Sequence, residues 1–277
     1  MYRLANDRLP FSLFRFGLRR LLIFVTIACV GVVAYLYVDE RNKQTRVDHW
    51  VKEHGGKTNY DYQIDPDGTI ADRDAPEPWM IERLFFEKLL RVNIVDINLN
   101  NSKIQNIDPL ANMLRLAKLD ISSTAIDDLR PLAGNKRIWF LSLTQTKVKD
   151  LKPLSTMTGL RYLSLYNTPV VDLSSVKELK QLRYLSLSGT KIRQVKALSE
   201  LRNLQELYLD NTAITNVSPL SDLVSLESLS LANTNVDDVS ELWELHKLRE
   251  LWLNDTKVDQ KMVDGLRRQL PDCEIFF

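Results

Sequence analysis

Hydrophobic residues recur along this chain with a fixed period of 22 residues, from Ile94 to the carboxyl end. Each repeat is centred on two apolar residues separated by one position, with a third apolar residue three positions ahead. These pairs are Ile97/Leu99, Leu119/Ile121, Leu141/Leu143, Leu163/Leu165, Leu185/Leu187, Leu207/Leu209, Leu229/Leu231, Leu251/Leu253 and Cys273/Ile275. A unit this short buries its apolar face only by stacking on its neighbours, so the period predicts a solenoid.

Each repeat predicts one short strand followed by a turn. In the segment L-x-x-L-x-L, alternation points the leucines inward, and the nine strands pair in parallel about 4.8 Å apart. A Pro-Leu dipeptide follows the strand at positions 109–110, 131–132, 153–154 and 219–220. Because proline removes a backbone donor, the returning segments should be turns or short 3₁₀ pieces with little α-helix.

The full unit reads L-x-x-L-x-L-x-x-T-x-[IV]-x-x-L-x-P-L-x-x-L and resembles the leucine-rich repeat. Its length and Pro-Leu turn are most similar to the bacterial, internalin-like class, and the resemblance covers residues 94–277. It implies an α/β solenoid with a concave parallel sheet of about nine strands, a convex side of turns and 3₁₀ pieces, and a binding function. The family's asparagine after the strand is replaced here by Ser or Thr, so we expect a hydroxyl ladder that bonds the backbone of neighbouring coils.

The ends of a solenoid need caps, and the pattern changes at both ends. Residues 39–93 predict a helix–strand–helix cap: a helix over Arg41–His54 ended by Gly55-Gly56, a strand over Tyr60–Ile64, and a helix over Trp79–Leu90. The repeats then occupy residues 94–261. Residues 262–277 predict a helical last coil, stopped by Pro271, and a final strand.

The amino-terminal residues predict a membrane anchor, which precedes the cap of the repeat domain. Residues 1–20 carry five arginines against Asp7, and Leu21–Val38 is free of charged residues. As a helix this run spans roughly 27 Å, just enough for a hydrocarbon core of about 30 Å. A cleaved signal peptide or a buried core helix remains as an alternative, although the run is longer than a signal-peptide core and no clean cleavage site follows it.

The arginines place the predicted tail in the cytoplasm, since basic residues flank the cytoplasmic side of such helices. The repeat domain should then lie outside the cytoplasmic membrane, in the periplasm of a bacterial envelope. The two cysteines of the chain, Cys29 and Cys273, are expected on opposite sides of that membrane boundary, and so we expect no intrachain disulfide. Hydrophobic content of 44% with 26% charged residues indicates a folded protein, and the net charge of +1 gives no reason to expect nucleic acid.

The sequence contains no recognisable set of catalytic or metal-binding residues. His49, His54 and His246 form no metal motif, and phosphate-loop and nucleophile-elbow motifs do not occur. The acidic turn at Asp65–Asp74 lacks the ligand order of a calcium-binding EF-hand loop. Asp or Asn recurs at one repeat position, where we expect each side chain to cap its own turn. The residues at this position are Asp128, Asp150, Asp172 and Asp238, with Asn106 and Asn216. We therefore expect no enzymatic activity, no cofactor and no metal.

The informative residues lie between the leucines, on the outward face of the strands. Aromatic and arginine side chains there predict a protein-binding surface, because these residues are enriched in binding hot spots. Stacked aromatics can also serve only to stabilise neighbouring strands. The sequence thus predicts a membrane-anchored recognition module, with a passive structural envelope protein as the alternative. The predicted partner-binding residues are Trp139, Phe140, Arg161, Tyr162, Tyr166, Arg183, Tyr184, Tyr208 and Trp252.

Overall fold

The computed structural model of the chain describes Val32, Tyr35, residues 38–60 and residues 94–277. The predicted anchor Leu21–Val38 lies outside the described residues except at Val32, Tyr35 and Val38. The acidic turn at residues 65–74 and the predicted cap helix at residues 79–90 lie outside them entirely. Among the residues that are described, no helix is both long enough and apolar enough to cross a membrane.

One sheet of ten strands runs through the described part of the repeat domain, in sequence order. The predicted nine parallel strands are confirmed as β2 to β10, and an additional strand, β1, pairs antiparallel with β2. The bounds are β1 Lys57–Tyr60, β2 Ile94–Asn98, β3 Lys118–Asp120, β4 Phe140–Ser142, β5 Tyr162–Ser164, β6 Tyr184–Ser186, β7 Glu206–Tyr208, β8 Ser228–Ser230, β9 Glu250–Trp252 and β10 Glu274–Phe276.

The returning side of the coils is built from 3₁₀ helices, as the Pro-Leu pairs predict. Four of these helices carry proline in their first turn, and coils without proline adopt the same conformation. The seven described 3₁₀ helices are Asp108–Leu110, Arg130–Leu132, Lys152–Thr156, Val176–Glu178, Lys196–Leu198, Ser218–Leu220 and Ser240–Glu244.

The repeated apolar positions form one continuous core from Ile94 to Ile275, and each of them is at most 9% exposed. Neighbouring leucines face each other directly because the strands are paired in register, for example Leu141 with Leu163 and Leu163 with Leu185. The core therefore fixes which residues point outward on every strand, and so it positions the concave face.

The hydroxyl ladder does not join neighbouring coils, contrary to the expectation from the sequence. The hydroxyl of Thr190 donates to the carbonyl of Leu187 at 2.6 Å, three residues earlier in its own turn. Reaching a neighbouring coil takes a longer side chain such as asparagine, whereas Thr Oγ1 is one bond shorter. The same bond recurs, at 2.6–2.7 Å, for Thr124, Thr146, Thr168, Thr212, Thr234 and Thr256.

One residue in each turn after the strand adopts a left-handed conformation, with φ between 53° and 71°. Asparagine tolerates this conformation better than most residues, and glycine adopts it freely. At Gly189, a Cβ would also fall 2.0 Å from Oδ1 of Asn167 on the preceding coil. These residues are Asn101, Ser123, Gln145, Asn167, Gly189, Asn211, Asn233 and Asp255.

At the amino-terminal end, helix α1 covers residues 38–53, and Gly55 ends it with φ 75°. Val47 and Val51 join the repeat core, as their helical spacing predicts. A strand lies at Lys57–Tyr60, and of the predicted cap strand Tyr60–Ile64 only Tyr60 falls within the described residues. Gly56, just ahead of β1, permits a close approach to β2, because a Cβ there would fall 2.6 Å from the carbonyl oxygen of Asn98.

At the carboxyl end, helix α2, Gln260–Gln269, replaces the 3₁₀ segment of the last coil. Asp259 caps it by accepting from the backbone N–H of Met262 at 2.7 Å. The predicted register of the final strand was wrong by two residues, since Leu251 pairs with Ile275 rather than Cys273. An α-helix rises only about 1.5 Å per residue, so a helical coil needs extra residues to return to the sheet.

The chain divides into two compact units, residues 1–46 and residues 47–277. In the described part of the first unit, the helix carries side-chain bonds one turn apart, from Gln44 to Glu40 at 2.8 Å and from Thr45 to the Arg41 carbonyl at 3.0 Å. In the second unit, Cys273 is a free thiol, and burial raises its pKa to about 11. Cys29 lies outside the described residues.

Candidate functional site

Three aromatic rings stand in register on neighbouring strands of the concave face. Phe140 pairs with Tyr162 across β4 and β5, and Tyr162 pairs with Tyr184 across β5 and β6. Their side chains point outward because each directly precedes an inward leucine. We call these three residues the aromatic ladder.

The rings of the aromatic ladder stack face to face. The centroids of Phe140 and Tyr162 are 4.3 Å apart with planes 13° from parallel, and those of Tyr162 and Tyr184 are 4.2 Å apart at 8°. These separations are below the 4.8 Å spacing of the strands, so the rings lean onto one another. Each is half-buried, which leaves one edge of the ladder open to solvent.

Further aromatic residues extend the ladder at both ends. Trp139 meets Phe140 edge to face at 6.1 Å, and Nζ of Lys118 lies 4.8 Å from the centre of the Trp139 ring. Tyr208 adjoins Tyr184 at 5.5 Å with planes 43° apart. The surface from β4 to β7 is therefore a continuous aromatic band.

The remaining predicted residues lie beside this band. Trp139 and Tyr166 are the most exposed of the predicted aromatic residues, at 37% and 40%. Arg161 and Arg183 are exposed on neighbouring strands at the position just ahead of the ladder. The structure thus brings together eight of the nine predicted residues, while Trp252 lies apart, two strands beyond Tyr208.

Burial raises the pKa of two phenols in the band, those of Tyr184 and Tyr208. It raises the pKa of Tyr184, with a further contribution from neighbouring Tyr162. It also raises the pKa of Tyr208, whose hydroxyl donates to Oε2 of Glu206 at 3.0 Å. At neutral pH these side chains are therefore uncharged, and each presents a hydroxyl oxygen that can accept a hydrogen bond beside an apolar ring surface.

Small hydroxyl side chains form a floor beneath the rings. Ser142 bonds to Ser122 at 2.7 Å between their Oγ atoms, and Thr144 bonds to Ser164 at the same distance. The serines that follow the ladder residues are at most 7% exposed: Ser142, Ser164 and Ser186. These short side chains occupy little of the concave surface beside the stacked rings.

The carboxyl-terminal half of the concave face is acidic. Glu206 and Glu250 occupy the ladder position on β7 and β9, and Glu274 occupies it on β10. Trp252 stacks on Phe276 at 5.3 Å with planes 9° apart. The sequence did not predict Phe276 as a concave residue, because the predicted register of its strand was wrong by two residues.

The repeated Asp and Asn side chains cap their own turns at five of the six predicted positions, Asn106 being the exception, which supports the structural interpretation from the sequence. Asp128, Asp150 and Asp172 each accept from the backbone N–H two residues later, at 2.8–2.9 Å. Asn216 and Asp238 make the same bond. Across residues 38–60 and 94–277, His, Cys, Asp and Glu side chains nowhere assemble in a group of three or more that could hold a metal ion.

These features agree with the comparison with known protein families. The model of a leucine-rich repeat region matches residues 125–273, more than half of the chain. The chain therefore belongs to the leucine-rich-repeat family. Curated proteins provide no sequence match.

Solved structures show the same solenoid. An internalin C2 from Listeria monocytogenes is 24% identical, with a TM-score of 0.63 over 66% of this chain and 79% of that one. The internalin inlF from the same organism is 25% identical, with a TM-score of 0.59 over 68% of this chain and 62% of that one. The resemblance to internalin-like repeats is confirmed.

A plant structure shares the fold at lower identity. The ectodomain of the receptor kinase GASSHO1/SCHENGEN3 from Arabidopsis thaliana, in complex with CASPARIAN STRIP INTEGRITY FACTOR 2, is 18% identical with a TM-score of 0.58. The match covers 66% of this chain and 24% of the receptor. At this identity the likeness establishes the fold alone.

Proposed function

We propose that this protein is a non-enzymatic recognition module that binds a protein partner on its concave face. The observation that carries the proposal is the aromatic ladder of Phe140, Tyr162 and Tyr184, which presents stacked rings with one open edge. Tyrosine, tryptophan and arginine dominate binding hot spots because they combine large apolar area with polar ends. Arg161 and Arg183 flank the ladder and supply such groups.

The conformation of the rings also favours recognition. Rings that are already stacked lose little conformational freedom on binding, which lowers the entropic cost of association. The uncharged phenols of Tyr184 and Tyr208 add hydroxyl oxygens that can accept hydrogen bonds on that rigid surface. A segment of the partner that lies along the solenoid would contact several coils at once.

The alternative is a passive structural protein, and one observation favours it. Each ladder ring covers its neighbour, as expected of side chains that only stabilise adjacent strands. This alternative predicts that concave substitutions change stability alone. It leaves unexplained why Trp139 and Tyr166 remain open on the same face.

The membrane anchor is part of the proposal. Leu21–Val38 would cross the cytoplasmic membrane once, with the arginine-rich tail inside and the repeats in the periplasm. A reporter that is active in only one compartment, fused after Phe277, tests this topology. We expect a periplasmic reporter to be active. Activity of a cytoplasmic reporter would show that the protein has the opposite orientation.

Binding is tested with the full chain in native membranes. Tyr162, Tyr184 and Trp252 are replaced together by alanine, and proteins retained by the parent and by the variant are compared. We expect the variant to fold, by circular dichroism, and to lose the retained partner. Equal retention by both proteins would favour the passive alternative.

A further inference from the structure

The rim where the chain enters the concave sheet is strongly basic along four neighbouring coils. Four short segments, residues 114–117, 136–139, 158–161 and 180–183, lead into β3, β4, β5 and β6. Together they contain six basic residues and no acidic residue. We call these six residues the basic rim: Arg115, Lys136, Arg137, Arg161, Lys180 and Arg183.

Neighbouring coils are in backbone contact along the basic rim, so its side chains start from closely spaced positions. The backbone N–H of Arg183 donates to the carbonyl of Arg161 at 2.8 Å, and the N–H of Arg161 donates to the carbonyl of Trp139 at 2.9 Å. Gly159 lies against the preceding coil, where a Cβ would fall 2.6 Å from the carbonyl oxygen of Lys136. Because like charges on adjacent strands repel each other, this arrangement is unfavourable in the free protein.

The described carboxylates leave most of the basic rim without a counter-charge. Lys180 is the exception, since it forms an ion pair with Glu200. The other five members are exposed, and none of them forms an ion pair with a carboxylate of residues 38–60 or 94–277. Asp120, the nearby carboxylate on β3, accepts instead from the backbone N–H and the hydroxyl of Ser122. The basic rim is therefore open to an anionic partner.

Two members of the basic rim lie directly beside the aromatic ladder. Arg161 immediately precedes Tyr162, Arg183 immediately precedes Tyr184, and both arginines are exposed. The rings of the two tyrosines are stacked 4.2 Å apart, so a segment that covers their open edge passes within reach of both guanidinium groups. Arginine rather than lysine occupies both positions, and its planar fork matches the two oxygens of a carboxylate.

We propose that the partner segment bound over the aromatic ladder is acidic, and that Arg161 and Arg183 bind its carboxylates directly. This proposal rests on the recognition function above and assigns the chemistry of the partner. Bidentate hydrogen bonds between arginine and carboxylate are charge-assisted, and they fix the orientation of the bound segment. Arg115, Lys136 and Arg137 extend the positive charge and steer the partner to this rim.

The other half of the concave face limits where such a segment can lie. Glu206, Glu250 and Glu274 occupy the ladder position on β7, β9 and β10, so they repel an acidic segment from the carboxyl-terminal half. From β3 to β6 is three strand spacings, about 14 Å, which an extended segment covers in roughly four or five residues. The acidic part of the partner segment is therefore short and lies over β3 to β6.

The test uses the full chain in detergent and three labelled probes of matched length: a peptide alternating glutamate with glycine, a peptide alternating arginine with glycine, and single-stranded oligothymidine. Fluorescence anisotropy at about 0.1 M salt, where exposed charges more than about 10 Å apart are largely screened, compares the parent with Arg161→Gln/Arg183→Gln. The matched control is Arg193→Gln/Arg268→Gln, which removes two exposed arginines outside the sheet. Circular dichroism verifies the fold of each variant.

We expect the glutamate peptide to bind the parent and the arginine peptide not to bind. Arg161→Gln/Arg183→Gln should weaken binding of the glutamate peptide at least about fivefold, while the control stays within about twofold. The proposal is overturned if the glutamate peptide does not bind, if its binding is unchanged in Arg161→Gln/Arg183→Gln, or if the control loses as much. Tighter binding of oligothymidine than of the glutamate peptide would show attraction to polyanions in general and would also overturn it.

Retention of the partner in native membranes separates this proposal from the recognition function. We expect Arg161→Gln/Arg183→Gln to lose the partner, as the alanine variant of Tyr162, Tyr184 and Trp252 does. If the alanine variant loses the partner while the arginine variant retains it, the acidic-segment proposal fails and the recognition function stands. Retention by both variants would remove the recognition function itself.

Discussion

The phenol rings of Tyr162 and Tyr184 lie 4.2 Å apart, centroid to centroid, with their planes 8° from parallel. Direct pairing of β5 with β6 places the two residues opposite each other, and the leucines that follow them fix their outward direction. The stack thus follows from the 22-residue period. It gives Tyr162 two separable roles, since its ring supports both neighbours and also presents an open edge.

Tyr162→Ala should lower stability and abolish partner binding, whereas Tyr162→Phe should preserve both largely intact. The alanine variant loses two stacking contacts, each worth about 0.5–1.5 kcal/mol beyond buried area. Urea unfolding measures the first effect and partner retention in native membranes measures the second. Loss of binding in Tyr162→Phe at unchanged stability would show that the hydroxyl, rather than the ring, is recognised.

Leu163→Ala should cost about 2–5 kcal/mol in the free energy of unfolding, because Leu163 is fully buried and the cavity cannot collapse between paired strands. Val171→Ala is the matched control, since Val171 is 61% exposed. It should change stability by less than about 0.5 kcal/mol. Similar losses in the two variants, measured by urea unfolding, would contradict the assignment of the core.

The strands could be predicted from the sequence because each inward residue is apolar and recurs at one spacing. Leu163 and Leu185 therefore identified β5 and β6, including their pairing. The period carries no information where a coil changes type. Ile275 pairs with Leu251 two residues later than expected, because helix α2 replaces a 3₁₀ segment.

The candidate site was predictable in its position but not in its contacts. Alternation placed Phe140, Tyr162 and Tyr184 on one column, which the structure describes as stacked rings. The bond from Thr190 to Leu187 was not predictable, because it depends on the turn geometry rather than on residue spacing.

Thr190→Val should lower the free energy of unfolding by about 1 kcal/mol, the usual net value of one hydrogen bond. The side chain is 4% exposed, and valine matches its shape without the donor to the Leu187 carbonyl. That carbonyl still accepts the backbone N–H of Thr190, which limits the cost. Thr190→Ser keeps the hydroxyl and serves as control in thermal unfolding; a larger loss there than in Thr190→Val would refute this role.

Replacing Asp128, Asp172 and Asp238 by asparagine should reduce the acid sensitivity of the fold. Hydrogen bonds from Arg130, Ser174 and Ser240, respectively, hold the pKa of these carboxyls below its ordinary value. A folded-state pKa below the unfolded value, about 3.9, adds stability that is present above that pH and is lost as the pH falls through the folded pKa.

The urea midpoint measured at pH 5 and pH 3 checks this expectation. The triple variant should lose less stability over this interval than the parent, while keeping its caps as Asn216 does. A control variant with asparagine at Asp127, Asp222 and Asp237, exposed carboxylates that do not occupy the capping position, should remain as acid-sensitive as the parent. An unchanged pH dependence in the cap variant would exclude these turns as the cause.

Photo-crosslinking from the concave face tests the central claim most directly. A photoreactive residue is placed at Tyr166, which is 40% exposed beside the aromatic ladder, and at Val224, which is 56% exposed outside the strands. After illumination of native membranes, we predict one discrete crosslinked protein from position 166 that disappears when Tyr184 and Trp252 are alanine. Identical products from both positions, or a product at 166 that survives those substitutions, would contradict recognition by the concave face.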